Sequence, residues 1–154
     1  MKLAIATKPT FFVEEDKIIT RLFVFWLDYL FLYKEYPHPQ FIERLLNLIP
    51  TKYHKRIYSC NSRLMKEYKL AGTLFPLGSN TPLGNEKGKI VGYANNLMHL
   101  KELRETYDIV CFGPLGRTFY QSAELNEIGK KMINKNTWAF GDIDEANLKR
   151  LTNY

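Results

Sequence analysis

The sequence has few residues of the kinds that build covalent or metal-bound frameworks. Its 154 residues include only two cysteines, Cys60 and Cys111. Both lie in apolar, strand-like surroundings rather than in a close pair, so neither a disulfide framework nor a four-ligand zinc site is indicated. We therefore expect free, buried thiols and a reducing compartment, which favours a cytoplasmic protein.

Long uncharged apolar runs are also missing. Residues 18–33 are the most apolar region, but Arg21 and Asp28 interrupt it, whereas a membrane-spanning helix needs about twenty largely uncharged residues. The apolar start of the chain gives way to Thr7 and Lys8, which is too early for a signal peptide with roughly seven or more apolar residues. We predict neither a membrane partner nor an export signal.

The excess of positive charge is modest. The formal charge is +6, from 22 Lys and Arg against 16 Asp and Glu. Such an excess suits phosphorylated small molecules, but a solvated surface produces it equally well. Binding of single-stranded nucleic acid requires aromatic side chains on an exposed basic groove. Most aromatic residues here fall on predicted core faces, so we expect no nucleic-acid partner.

Short buried runs alternate with helical spacing along the chain. Strand-like runs are predicted at residues 3–6, 29–33, 56–59, 71–75, 89–93, 109–112 and 137–140. Helical periodicity follows every run except the fourth, after which residues 76–89 are rich in Gly, Ser, Asn, Pro and Lys. Because helical crossovers join parallel strands, the pattern predicts an α/β protein with a parallel sheet.

This repetition favours a TIM-type (βα) barrel over an open doubly wound sheet. We predict one domain, residues 1–154, with seven βα units. A closed barrel has eight strands, so the eighth strand is missing at the C-terminal end. Unpaired strand edges promote aggregation. We therefore expect a homo-oligomer or another partner to cover the open barrel edge.

Residues 108–118 place ligand-binding groups directly after a predicted strand. The apolar start of this stretch suits a strand buried on both faces, and Gly113 and Pro114 end it because proline lacks an N–H. The loop that follows carries Arg117 and Thr118, a cation and a hydroxyl. Parallel α/β proteins bind ligands at such strand ends, so we predict a ligand site here.

The order of motifs resembles the thiamine phosphate synthases and the related thiazole tautomerases, which are (βα)8 barrels. The resemblance extends from Lys2 to the end of the chain, and its most specific parts are residues 27–34, 90–93, 108–118, 139–143 and 147. It implies a transferase that joins hydroxymethylpyrimidine pyrophosphate to thiazole phosphate with magnesium in thiamine biosynthesis. The active site would lie at the carboxyl ends of the strands.

The resemblance also implies where a phosphorylated ligand binds. The phosphate-binding positions follow strands two, six and seven, and they are Lys34, Gly113, Arg117, Thr118, Gly141 and Asp142. The pocket positions follow strands three and five, and they are Asn61, Asn95 and Asn96. Each asparagine, like Asp142, is also a candidate helix N-cap. The sequence identifies no catalytic residue.

Several positions depart from the family pattern. Phe31 and Tyr33 stand where the family has a polar residue and an arginine. Cys60 and Asn61 stand where it has a magnesium-binding aspartate, and residues 75–80 contain no carboxylate. Magnesium prefers carboxylate and phosphate oxygens, so we predict no dedicated magnesium site, although the family uses the ion.

Strand five departs from the family pattern as well. The family ends this strand with a serine, to which the tautomerases add a histidine, whereas Ala94, Asn95 and Asn96 occur here. Two hypotheses follow. The first is a synthase-like enzyme with a heavily altered active site, and the second is a catalytically inactive, truncated barrel with a structural or partner-binding role.

Overall fold

The computed structural model describes residues 2–35, 38–76, 82, 88–113, 133–141 and 143–144. The chain forms two compact units. Unit 1 comprises Met1–Leu74 and Leu83–Lys89, and unit 2 comprises Phe75–Pro82 and Ile90–Tyr154. The prediction of a single domain over the whole chain stays a prediction.

In unit 1, short strands alternate with helices. In chain order the elements are β1 (Ala4–Ala6), α1 (Glu15–Phe25), β2 (Tyr29–Leu32), α2 (Pro39–Leu48), a 3-10 helix (Thr51–Arg56), β3 (Ile57–Ser59), α3 (Ser62–Glu67) and β4 (Gly72–Leu74). The strands β1 to β4 are parallel and adjacent in chain order, with Leu30 in register with Ile5 on one side and Ile57 on the other. This is the parallel arrangement that the helical crossovers predict.

The strands of unit 1 bury residues on both faces of the sheet. Leu30, Leu32 and Ile57 belong to a core formed with the helices, to which Ile19, Phe23, Ile42, Leu45, Leu46, Leu64 and Met65 also belong. Phe31 and Tyr58 alternate with these residues along the strands, and their ring centroids lie 5.6 Å apart in an edge-on contact. Burial on both faces explains why the strands read as continuous apolar runs.

Helix α1 buries one face through residues spaced four apart. The buried residues are Glu15, Ile19 and Phe23, which is the periodicity of a helix packed on a sheet. Its first turn is acidic, with Glu15 and Asp16, and this suits the positive end of the helix dipole. The helix predicted from the apolar residues of this segment is confirmed.

The sequence does not predict the 3-10 helix Thr51–Arg56, which is too short to show a helical period. Its His54 is buried, and Nε2 lies 3.0 Å from the carbonyl oxygens of both Leu46 and Ile49. The imidazole N–H therefore donates to two carbonyls at the C-terminal end of α2, where intrahelical donors run out. His54 thus has a packing role.

The described part of unit 2 contains β5 (Lys89–Ala94, whose first residue belongs to unit 1), α4 (Leu97–Leu103), β6 (Ile109–Phe112) and β7 (Thr137–Ala139). Strand β6 pairs in parallel with β5 and with β7. The helix-facing core consists of Ala94, Leu100, Val110 and Phe112. The helices predicted around Leu125 and Leu148 lie outside the described residues.

Seven parallel strands with helices between them confirm the predicted α/β fold of the TIM type. The strand bounds agree with the predicted runs to within one or two residues. An eighth strand does not occur among the described residues. No helix in the described part of the chain is long and apolar enough to span a membrane.

Candidate functional site

The carboxyl ends of parallel strands lie at one edge of a sheet, where α/β proteins bind ligands. In unit 1 the residues that follow strands β1, β2 and β3 are Thr7 and Lys8, Tyr33 and Lys34, and Cys60 and Asn61. In unit 2 the residues that follow β5, β6 and β7 are Asn95 and Asn96, Gly113, and Phe140 and Gly141.

Lys34 is the predicted site residue with the most contacts. Its side chain is fully buried, and Nζ donates to Glu15 Oε1 at 2.6 Å, to the Lys8 carbonyl at 3.0 Å and to the Thr10 carbonyl at 3.1 Å. The ring centroid of Phe11 lies 4.6 Å from the same nitrogen. An ammonium has three protons to donate, so an anion could reach Lys34 only by replacing one of these acceptors. Its predicted phosphate contact stays a prediction.

Glu15 is a buried charged residue that the sequence reasoning missed. It is 3% exposed, its Oε1 accepts from Lys34, and its Oε2 has no hydrogen-bond partner among the residues that the structure describes. An acidic residue in the first turn of a helix is expected from the helix dipole alone, so the residue type at this position did not predict that Glu15 is buried. The signal in the sequence is its spacing from Ile19 and Phe23, which puts Glu15 on the buried face of α1.

The loop between β1 and α1 is fixed to the end of β2. The Thr7 hydroxyl donates to the Tyr33 carbonyl at 2.7 Å and accepts from the Tyr33 N–H at 3.1 Å. The Glu35 N–H donates to the Pro9 carbonyl at 3.1 Å. Together with the two loop carbonyls bonded by Lys34, these contacts hold the loop backbone at the carboxyl edge of unit 1.

The predicted pocket asparagines act as helix caps. Asn61 Oδ1 accepts from the N–H groups of Arg63 and Leu64 at 3.1 and 3.2 Å, at the start of α3. Asn96 Oδ1 accepts from the His99 N–H at 2.8 Å at the start of α4, and its amide nitrogen donates to Asn95. Asn61 and Asn96 are therefore confirmed as N-caps. A ligand role for the three asparagines stays a prediction.

The residues at the end of β3 do not fit magnesium. Asn61 Oδ1 already accepts two backbone N–H groups, and burial raises the pKa of the Cys60 thiol to about 11, which keeps it protonated. No three His, Cys, Asp or Glu side chains within the described ranges lie close enough together to hold a metal ion. Magnesium requires hard oxygen ligands, and the prediction of no dedicated site remains a prediction.

Two predicted phosphate-side residues of unit 2 lie at strand ends. The Gly113 N–H donates to the Ala94 carbonyl at 3.0 Å, which extends the pairing of β5 and β6. Gly141 has a φ of 133° and accepts from the Ile143 N–H at 2.8 Å, and this backbone conformation favours glycine. Arg117, Thr118 and Asp142 lie outside the described residues.

Solved structures similar to the chain include two thiamine phosphate pyrophosphorylases, whereas no protein-family model and no curated protein matches it. The thiamine phosphate pyrophosphorylase from Bacteroides thetaiotaomicron is 35% identical, with a TM-score of 0.89, over 99% of this chain and 78% of that one. The thiamine phosphate pyrophosphorylase from Pyrococcus furiosus is 14% identical, with a TM-score of 0.74, over 99% of this chain and 80% of that one. The second likeness concerns the fold alone.

Proposed function

The chain belongs to the thiamine phosphate synthase (pyrophosphorylase) family, and from this membership we propose that it binds the family's phosphorylated substrates at its strand ends. The observation that carries the proposal is the end-to-end similarity to the Bacteroides thetaiotaomicron thiamine phosphate pyrophosphorylase. The proposed reaction joins hydroxymethylpyrimidine pyrophosphate to thiazole phosphate. A bond forms between the thiazole nitrogen and the pyrimidine methylene carbon as the bond from that carbon to pyrophosphate breaks.

The phosphate-binding residues proposed for unit 2 are Gly113, Arg117, Thr118, Gly141 and Asp142. Two observations support this assignment. Gly113 directly follows β6, and Gly141 lies just beyond β7. Because glycine has no Cβ, a phosphate can approach the backbone closely at these positions.

We also propose that the active site is heavily altered from the family pattern. Lys34 is engaged by Glu15 and two carbonyls, and the Asn61 amide oxygen caps α3. Tyr33, which stands at a family arginine position, offers no positive charge. The engaged Lys34 and the uncharged Tyr33 reduce the positive charge available to a pyrophosphate leaving group, and Asn61 lacks the carboxylate that would hold magnesium. We therefore expect turnover below that of a family member with these groups in place.

A direct assay tests this proposal. The full-length protein is incubated with both precursors and magnesium, and thiamine phosphate and pyrophosphate are quantified. We expect product formation that Thr118→Ala and Arg117→Met each reduce. In parallel, either precursor at millimolar concentration raises the thermal midpoint through binding linkage. If the protein shows no turnover and neither precursor shifts the thermal midpoint, the proposed function is contradicted. Full turnover by both variants would contradict the site assignment.

The second hypothesis, a catalytically silent protein with a partner-binding role, is favoured by one surface. On α1 and the residue after it, Ile18, Val24, Phe25 and Trp26 are 46%, 61%, 71% and 53% exposed. Large apolar side chains exposed on one element suit a protein interface. Light scattering of the wild type and of Phe25→Glu tests this hypothesis. If a second copy covers the surface, the wild type is a dimer and the variant is a monomer. A monomeric wild type contradicts the hypothesis.

A further inference from the structure

Three cations follow the carboxyl ends of strands in the described part of unit 1. They are Lys8 after β1, Lys34 after β2 and Arg63 shortly after β3. An anionic ligand at this edge requires a cation whose charge is not already neutralised by a carboxylate. The partners of these three side chains therefore decide which of them can serve a ligand.

Two of the three cations have carboxylate partners. Lys34 is buried against Glu15, as described above. Arg63 is bonded to Glu43 through its guanidinium, and its Nε lies 3.9 Å from Glu67 Oε2. Lys8 is exposed, and no carboxylate of the described residues lies within 4 Å of its Nζ.

We propose that Lys8 is the cation of unit 1 that contacts the anionic part of the ligand, and that the buried Glu15–Lys34 pair positions it. This inference rests on the proposed function, because the ligand is the phosphorylated substrate proposed there. The part of the ligand that Lys8 contacts is a pyrophosphate or phosphate group. Lys34 then acts through the loop backbone and does not touch the ligand.

The backbone around Lys8 is fixed on both sides. Its own carbonyl accepts from Lys34 Nζ at 3.0 Å. The preceding residue, Thr7, exchanges two hydrogen bonds with Tyr33, and the following residue, Pro9, accepts from the Glu35 N–H. A ligand contact made by a side chain on a fixed backbone loses less entropy on binding than one on a mobile loop.

Lys34 is poorly suited to direct contact with the ligand, because moving its ammonium away from Glu15 would leave a buried carboxylate without a counter-ion. Among the described residues Glu15 Oε2 already lacks a partner, and loss of the ammonium would leave Oε1 buried without one as well. An uncompensated buried carboxylate is strongly unfavourable. Lys8 carries no such penalty, since its exposed Nζ lies over the Phe12 ring, 5.8 Å from the centroid, and has no carboxylate partner in the described part of the chain.

Glu35 is an acidic residue whose backbone contacts the loop that carries Lys8. It is exposed, and its backbone N–H is bonded to the loop. Its carboxylate repels an anion bound nearby, although solvent and salt screen this repulsion. Removing the charge should therefore strengthen the binding of pyrophosphate. We therefore expect Glu35→Gln to bind pyrophosphate more tightly than the wild type, with the difference shrinking as the salt concentration rises.

The test titrates the full-length protein with inorganic pyrophosphate by calorimetry at low salt. We expect Lys8→Met to weaken binding about tenfold or more, because a charge-assisted hydrogen bond is lost. Lys8→Arg should keep most of the affinity. The matched control is Lys55→Met, which removes another exposed charge from the 3-10 helix that precedes β3, at the opposite end of that strand. It should leave affinity within about twofold, the scale of a screened distant charge.

The positioning role of the Glu15–Lys34 ion pair is tested by a double-mutant cycle. The pair Glu15→Leu and Lys34→Met, introduced together, removes the buried charges without leaving either unpaired. It should weaken pyrophosphate binding in the wild-type background and have no further effect when Lys8→Met is present, because it acts through Lys8. A merely destabilising change would lower the thermal midpoint equally in both backgrounds and would not produce this loss of additivity in affinity.

The outcomes separate this inference from the proposed function. If the wild type binds and Lys8→Met binds equally well, or no worse than Lys55→Met, the role of Lys8 is excluded while the proposed function stands. If removal of the pair abolishes binding and Lys8→Met does not, Lys34 is the direct contact. If the wild type shows neither pyrophosphate binding nor turnover of both precursors, the proposed function and this inference are both overturned.

Discussion

Lys34 and Glu15 form a buried ion pair, with Lys34 Nζ 2.6 Å from Glu15 Oε1 and side-chain exposures of 0% and 3%. The pair joins the end of β2 to the first turn of α1, and the same ammonium bonds two carbonyls of the loop between β1 and α1. Desolvation makes such a pair a weak source of net stability, but the loss of one partner is severe. Its value therefore lies in fixing the geometry of this loop.

The first prediction concerns the energetics of this pair. Lys34→Met should lower the free energy of unfolding by about 3–5 kcal/mol, because it leaves the Glu15 carboxylate buried without a counter-ion. The double variant Glu15→Leu/Lys34→Met should lose less than the sum of the two single changes. Urea denaturation of the wild type, the two single variants and the double variant measures these free energies of unfolding. Additive losses would contradict the interpretation that the two charges are energetically coupled.

The second prediction concerns the caps at the strand ends. Asn61→Ala and Asn96→Ala should each lower the free energy of unfolding by about 1 kcal/mol, because each leaves N–H groups at the start of a helix without an acceptor. The matched control is Asn95→Ala, since the Asn95 side chain accepts from the Asn96 amide and, among the described residues, from no helix N–H. Equal losses for Asn95 and Asn96 in denaturation experiments would contradict the assignment of Asn96 as the cap.

The strands and α-helices were predictable because their apolar spacing records which face is buried. The caps were predictable too, since Asn61 and Asn96 precede periodic segments. The partner of Lys34 was not, because Glu15 is close to it only after β1, α1 and β2 have packed together. The sequence therefore identified the edge that carries the candidate site but not which cation at that edge is available to a ligand.

The third prediction concerns Lys69, which has a φ of 53° just after α3. Its neighbour Leu70 donates to the Met65 carbonyl at 2.9 Å, the pattern of a helix end that favours glycine at this position. Lys69→Gly should raise the free energy of unfolding by about 0.5–1 kcal/mol, since it relieves the left-handed strain. The control Lys66→Gly, within α3, should lower it by up to about 1 kcal/mol. Destabilisation by both variants would contradict this account.

The fourth prediction concerns alkaline pH. Burial raises the pKa of the Cys111 thiol to about 12 and that of Cys60 to about 11, from an ordinary 9.0. Above pH 9 the unfolded chain loses thiol protons that the folded chain retains, so stability should fall as pH rises from about 9 towards 11. Replacing both cysteines with alanine should flatten this part of the profile. An unchanged slope in denaturation series between pH 8 and 10.5 would contradict it.

The fifth prediction concerns Gly72 in β4. A Cβ on this residue would lie 1.8 Å from the carbonyl oxygen of Lys89 and 2.7 Å from its carbonyl carbon. The obstacle is backbone, which cannot rotate away, and the Lys89 N–H is itself bonded to the Ala71 carbonyl at 3.2 Å. Gly72→Ala must therefore separate two segments of unit 1, and we expect it to cost about 3 kcal/mol or more, at or beyond the upper end of overpacking losses.

Gly92 in β5 provides the matched comparison for Gly72. A Cβ there would meet the Tyr107 ring at 2.8 Å, a side chain that can shift by small rotations about its own bonds. Gly92→Ala should therefore cost less, about 1–2 kcal/mol, within the usual range for overpacking. Thermal and urea denaturation of both variants rank the two losses. A smaller loss for Gly72→Ala than for Gly92→Ala would show that the Lys89 backbone yields to the added methyl group, and that Gly72 does not set the approach of these two segments.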